Sequence, residues 1–321
     1  MSSDPLVLAA TTAVERLGVG PDDSFLVVYN DAFASIAEAL AAAAEARTGS
    51  VRTLLFATLS RSGEEPPLEV AEAMLGANAL ALVASYSLSH TQARLRATRN
   101  GARVASMPDV TRDIFERTLP VDYTHLETVG RALAARLGAA EMCRITAPGG
   151  TDVEISLRGR DGRSDDGDLR APGAFGNLPA GEAYIAPYER EGYGTIVFDC
   201  SLASWGLLDE PLRIALEGGR AVAADGGSAA EWLLSTLDAG GENGRAIAEL
   251  GIGTNPAATI VGKIIEDEKV EGTIHLAFGA STGIGGQNEA SVHIDGLVRD
   301  PTVELDGQVV MRAGRLVLQS E

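Results

Sequence analysis

Apolar residues fall in short blocks through the first 140 positions. Phe25–Tyr29 (FLVVY), Val51–Ala57 (VRTLLFA) and Ala79–Ser85 (ALALVAS) have the length and apolar density of strands buried on both faces. Between them, Asp31–Arg47, Glu69–Leu75 and Ser89–Asn100 repeat small and apolar residues at helical spacing, the last closed by Gly101. Arg103–Ser106 reads as a further short strand and Thr124–Leu137 as another helix. Strand–helix alternation of this kind predicts an α/β layer around a mostly parallel sheet. No strand is followed by GxGxxG, which argues against a dinucleotide site.

The second half changes period. Asp152–Leu157, Gly194–Phe198, Arg220–Ala223, Thr273–Phe278, Ser291–Ile294, Thr302–Leu305 and Gln308–Met311 read as strands separated by Gly and Asp turns. Only Ala229–Leu237 and the stretch after Asn255 look helical, and Asp161–Gly167 (DGRSDDG) reads as a polar loop. The composition turns Gly-rich near Gly149. These shifts predict two domains: an N-terminal α/β domain over 1–145 and a β-rich α+β domain over 146–321. No internal repeat is visible.

Composition removes several function classes. The 321 residues carry 26 Lys plus Arg against 45 Asp plus Glu, a net charge of −19, so a nucleic-acid backbone is not an expected partner. The charge itself reads mainly as solubility. The two cysteines, Cys143 and Cys200, make neither a disulfide scaffold nor a thiolate zinc site. The longest apolar stretch, near Ala71–Tyr86, is interrupted by Glu72, Gly76 and Asn78, so no membrane span is expected. Met1–Leu8 lacks a basic region followed by an apolar one. The expectation is a cytoplasmic protein.

Only four histidines are present, and two of them fall within one polar–apolar stretch, Glu266–Asp295. His275 lies inside a strand pattern. His293 and Asp295 are two apart on another, so both side chains point to one face and can present an imidazole and a carboxylate to one metal ion. The plainer reading of an H-x-D pair is a hydrogen-bonded strand histidine followed by a turn aspartate, and His275 shifts the balance towards a site. Two carboxylates stand apart from any folding need: Glu182 in NLPAGEAYIAP and Glu249 in AELGIGTNP. The run Glu266, Asp267, Glu268 reads instead as a solvated helix end. Glu271 is too far along the strand from His275 to share a site with it.

These segments resemble the aminopeptidase T family of metal-dependent aminopeptidases. The resemblance rests on Gly181–Glu182 to Pro187, Ala248–Glu249, His275–Gly279 (HLAFG) and His293–Asp295, and covers roughly residues 145–321. Glu182 and Glu249 are 67 residues apart and Glu249 and His275 are 26 apart, both close to the family spacing; the 18 residues from His275 to His293 are fewer. The resemblance implies that Glu182, Glu249, His275, His293 and Asp295 hold two divalent ions (zinc, cobalt or manganese), one carboxylate bridging. It implies hydrolysis of an amide bond in a small-molecule or peptide substrate, and a homodimer. One departure stands out: the family Tyr seven residues after the first His is Thr282 here.

The same architecture is similar to 2,5-dihydroxypyridine 5,6-dioxygenase, whose single non-haem iron takes two His and one Asp. His293 and Asp295 match that set, while Glu249 stands where the dioxygenase has its other His. The alternative function is therefore a one-iron, Fe(II) ring-cleaving dioxygenase acting on a dihydroxylated heteroaromatic. His90, just after the third strand, has two readings: an acid–base or substrate-binding group, or a helix-start residue with Ser89 as cap. Arg94 reads as an ordinary surface arginine, and His125 as a surface residue at a helix start.

Overall fold

The computed structural model describes residues 4–317, and these divide into two compact units. The first comprises the chain up to Tyr123 together with Gly167–Ala180; the second comprises Thr124–Asp166 and the chain from Gly181 onward. The division therefore does not fall at residue 145. The helix Tyr123–Ala139 packs Val129, Leu133 and Leu137 into the core of the second unit, and a short segment after Asp166 returns to the first.

In the first unit, five parallel strands lie in the order Ser50–Leu55, Ser24–Tyr29, Ala79–Val83, Arg103–Ser106, Phe175–Asn177. Their apolar runs are explained by burial on both faces. Phe25, Val27, Ala79, Ala81 and Ala105 join one cluster with the helices Pro5–Arg16, Ala34–Glu45 and Arg112–Thr118. Leu26, Val28, Leu80, Leu82 and Val104 join another with Leu68–Leu75 and Gln92–Arg99. The predicted α/β layer with a parallel sheet is thus present. Three elements were not expected: the helices Pro5–Arg16 and Arg112–Thr118, and the fifth strand, which arrives from residue 175. The first helix carries the usual start signal, Asp4 accepting from the Leu6 amide with Pro5 at the first position.

In the second unit, antiparallel sheets of eight and seven strands contribute to a single hydrophobic cluster. The seven-stranded sheet runs Gly206–Leu207, Ser201–Leu202, His293–Arg299, Thr273–Gly279, Ile247–Gly253, Glu182–Ile185, Arg163–Asp165. Two of these strands were read otherwise from sequence. Ile247–Gly253, absent from the strands read from sequence, is a fully buried strand. Arg163–Asp165 was expected as loop and forms the sheet edge. The stretch after Asn255 is largely turn, with helix only at Ile264–Asp267.

That turn segment is held from inside. Glu266 and Asp267, expected as solvated, are fully buried. Glu266 accepts from the Thr259 amide at 2.7 Å. Asp267 accepts from the amides of Val261 and Gly262 and from the Ser201 hydroxyl, at 2.6–2.9 Å. A buried segment outside any ladder needs acceptors for its N–H groups, and these two carboxylates supply them.

Candidate metal centre

Period-two alternation builds the centre. Along Thr273–Gly279, Ile274, Leu276 and Phe278 enter the core, so His275, Ala277 and Gly279 point to the opposite face. Along Ile247–Gly253, Leu250 and Ile252 enter the core, and Glu249, Gly251 and Gly253 share the face of His275. A bulge between Ile247 and Glu249 sets this phase. Glu249 pairs with Ala277 and Ala277 with Asp295, so two carboxylates flank an alanine in one row. Gly253 faces Glu182 across the next strand. Four strands therefore bring Glu182, Glu249, His275, His293 and Asp295 to one face of one sheet.

The small residues between them make room for the imidazole. A Cβ on Gly251 would sit 2.0 Å from His275 Cε1 and 2.1 Å from Nε2, so the ring lies directly over this glycine. Glu249 is turned towards both histidines: Oε2 is 3.1 Å from His293 Nε2, and Oε1 is 3.6 Å from His275 Nε2. His275 Nε2 is 3.2 Å from Glu182 Oε2, and His293 Nε2 is 3.3 Å from Asp295 Oδ1. The His293 Nδ1 lies 2.7 Å from the Ala280 carbonyl. A carbonyl only accepts, so Nδ1 carries a proton, and in the neutral ring the lone pair is on Nε2, towards the carboxylates.

Among the described residues, two sets gather donor atoms within 4.8 Å: Glu249, His293, Asp295 and Glu182, Glu268, His275. Either could hold a metal ion. The fit is supported by atoms left unsatisfied. Glu182 Oε2 and both ring nitrogens of His275 are buried with no hydrogen-bond partner, despite the close approach of Glu182 to His275. Buried polar atoms are otherwise almost always bonded, and a cation satisfies a carboxylate oxygen and an imidazole nitrogen together.

The ionisation pattern is that of a crowded buried cluster. Burial raises the Glu182 carboxyl to about 8, against the pull of Lys269. Burial opposes the imidazolium of His275, yet the Glu249 and Glu182 carboxylates raise it to about 9. His293 is likewise raised, against burial, by Asp295 and Glu249. Against its own burial, Glu249 is held below the usual carboxylate range by the two imidazoles.

Two residues of this centre were missed from sequence: Glu268, read there as part of a solvated helix end, and Lys269. Lys269 is fully buried, with its Nζ 2.5 Å from Glu182 Oε1, 2.8 Å from Glu268 Oε1 and 3.4 Å from Asp165 Oδ2. Burial works against its charge, and the three carboxylates more than compensate. A signal was present: only two of the 26 basic residues are lysines, Lys263 and Lys269. A compact ammonium on a flexible stem suits a three-carboxylate pocket that a planar guanidinium would not fit.

The other sequence candidates lie elsewhere. His90 belongs to the first unit, exposed in the turn after Ala79–Val83, and the helix cap is Thr91 rather than Ser89. Arg94 is buried, not a surface residue: Nε donates to the Ser89 carbonyl and the guanidinium stacks 3.9 Å above the Phe175 ring. Burial lowers its pKa to about 10. His125 is exposed on Tyr123–Ala139. Thr282 is exposed, in a short 3-10 turn after the His275 strand.

Comparison with known proteins agrees with both resemblances. A 2,5-dihydroxypyridine 5,6-dioxygenase from Pseudomonas putida KT2440 is 23% identical over 255 residues, 75% of this chain and 71% of that protein. The solved structure of 2,5-dihydroxypyridine dioxygenase from P. putida KT2440 superposes with a TM-score of 0.84 at 18% identity, covering 98% of this chain and 97% of the other. The wild-type AmpT structure from Thermus thermophilus superposes at 0.73 with 19% identity, covering 97% and 99%. At these identities the structures show a shared fold. The family model for NicX, 2,5-dihydroxypyridine 5,6-dioxygenase, matches residues 19–318, and the chain therefore belongs to the NicX family.

Proposed function

We propose that this chain is a metal-dependent hydrolase of aminopeptidase type, with Glu182, Glu249, His275, His293 and Asp295 as ligands of two divalent ions. The observation that carries this reading is Glu249, which turns one carboxylate oxygen to each imidazole, as a bridging ligand does. Divalent ions held there would polarise a scissile carbonyl and lower the pKa of a water molecule. The chain's own part is orientation and charge. Ala280 fixes the His293 ring, Gly251 seats His275, and Lys269 fixes Glu182. His90 is proposed as a group that binds substrate or moves a proton.

The test is metal analysis joined to activity. Zinc-, cobalt- or manganese-loaded protein is expected to hold two ions per chain and to release leucine from leucine p-nitroanilide. Glu249→Ala and His293→Ala are each expected to lose metal, and full metal content in both would overturn the ligand assignment. His90→Ala is expected to lower turnover at unchanged metal content.

A second reading is a mononuclear iron dioxygenase cleaving a dihydroxylated heteroaromatic such as 2,5-dihydroxypyridine. Family membership and the name of the P. putida relative support it. One iron per chain and oxygen consumption with 2,5-dihydroxypyridine would favour it over the hydrolase. Two ions and no oxygen uptake would exclude it.

A further inference from the structure

We propose that Arg163 and Tyr184 form an anion subsite beside the metal centre, which holds a carboxylate of the substrate: for the hydrolase reading, on which this rests, the C-terminal carboxylate of a short peptide. The placement follows from register. Arg163 pairs with Tyr184, Tyr184 with Gly251, and Gly251 with His275, so the four form one row on one face of the sheet. Gly251 has no side chain, so along this row nothing stands between the half-buried Tyr184 and the His275 ring.

The Arg163 side chain is exposed, and its guanidinium packs on a loop that belongs to the site strands. A Cβ on Gly285 would lie 3.0 Å from Arg163 Nη2 and 3.4 Å from its Cζ; Gly285 itself has φ 101°, in the segment that joins the His275 and His293 strands. Arg163 thus rests against the loop that joins the His275 and His293 strands. The acids near Tyr184 have partners of their own: Asp165 and Glu182 face Lys269 and Glu249 faces the two imidazoles, while Glu189 is paired with Arg160. Among the described residues, neither the Arg163 guanidinium nor the Tyr184 hydroxyl makes a hydrogen bond or ion pair.

The chemistry selects the ligand. A guanidinium binds a carboxylate through two parallel N–H donors, and a phenol adds one O–H donor. Two strand spacings, about 10 Å, separate the Arg163 backbone from Gly251, over which the His275 ring lies, and the arginine side chain reaches part of that way, so the span suits one or two residues beyond the scissile bond. The substrate class is therefore a dipeptide or tripeptide with a free C-terminus rather than a long chain.

The experiment compares Leu-Gly and Leu-Gly-Gly with their C-terminal amides on the metal-loaded protein. The free acids are expected to be preferred about tenfold or more in kcat/KM, through KM. Arg163→Gln should abolish the preference, Arg163→Lys restore part of it, and Tyr184→Phe weaken it, all at unchanged metal content. Equal use of acid and amide by the unaltered protein, or a preference that survives Arg163→Gln, overturns the subsite. If no peptide is cleaved, the peptidase reading fails separately. Calorimetric binding of the same four peptides then decides the subsite: a preference for the acids lost in Arg163→Gln supports it, and equal or absent binding rejects it.

Discussion

At the scale of single residues, the centre depends on what is missing as much as on its donors. Gly251→Ala would place a methyl inside the His275 ring, so the imidazole must leave its position. Metal affinity is expected to fall about 10- to 100-fold, as for loss of a group that orients a ligand, and calorimetric titration with zinc reads it. Lys269 makes the converse case. Lys269→Met leaves Glu182, Glu268 and Asp165 with an uncompensated buried charge, and the metal-free protein should lose about 3–5 kcal/mol in denaturant unfolding. A smaller loss would mean that water or repacking compensates the carboxylates.

At the scale of elements, strand alternation separates stability from chemistry. Phe278 is fully buried in the core while His275, three residues before it, faces the site. Phe278→Ala is expected to cost about 3–5 kcal/mol of unfolding free energy without changing any donor. The segment 255–263 depends instead on two acids. Asp267→Ala removes the acceptor of the Val261 and Gly262 amides, so hydrogen exchange at those two amides should accelerate ahead of the neighbouring strands. These elements also show why parts of the chain were legible and others were not. The HLAFG alternation stated its own period. Ile247–Gly253 did not, because a strand buried on both faces, with glycines on one of them, has no polar alternation to read. Glu266 and Asp267 look like any acidic helix end until the loop that folds back on them is known.

At the scale of the whole molecule, the net charge of −19 matters most where carboxylates are gathered. In the metal-free protein, His275 has its pKa raised to about 9, so its contribution is full below its ordinary value of 6.5 and is lost as pH rises through 9. Glu182, raised to about 8, acts in the same direction: the unfolded chain releases that proton near 4.5 and the folded chain keeps it, so stability declines between those values. Chelator-treated protein should therefore melt at a lower temperature at about pH 9 than at about pH 6. A bound divalent ion offsets this, adding about 2.7 kcal/mol at a hundredfold excess over its Kd. An unchanged melting temperature across that range would mean that the cluster does not set the pH dependence. No helix among the described residues is long and apolar enough to cross a membrane, as the interrupted run near Ala71–Tyr86 led us to expect.

The sequence by itself determined the architecture class and named the residues proposed as donors. Apolar runs and alternation are local, and five ligand-type residues at characteristic spacing are a linear pattern, so a parallel α/β layer, a β-rich second part and Glu182, Glu249, His275, His293 and Asp295 could all be named from it. Tertiary structure alone decided what surrounds those donors. It placed Lys269 between Glu182 and Glu268, seated His275 over Gly251, aligned Arg163 with Tyr184, and buried Arg94 and Asp267. Each of these is a pairing between distant positions. Such pairings follow from strand register and from how the chain buries its apolar faces, and neither is written in any local window of residues.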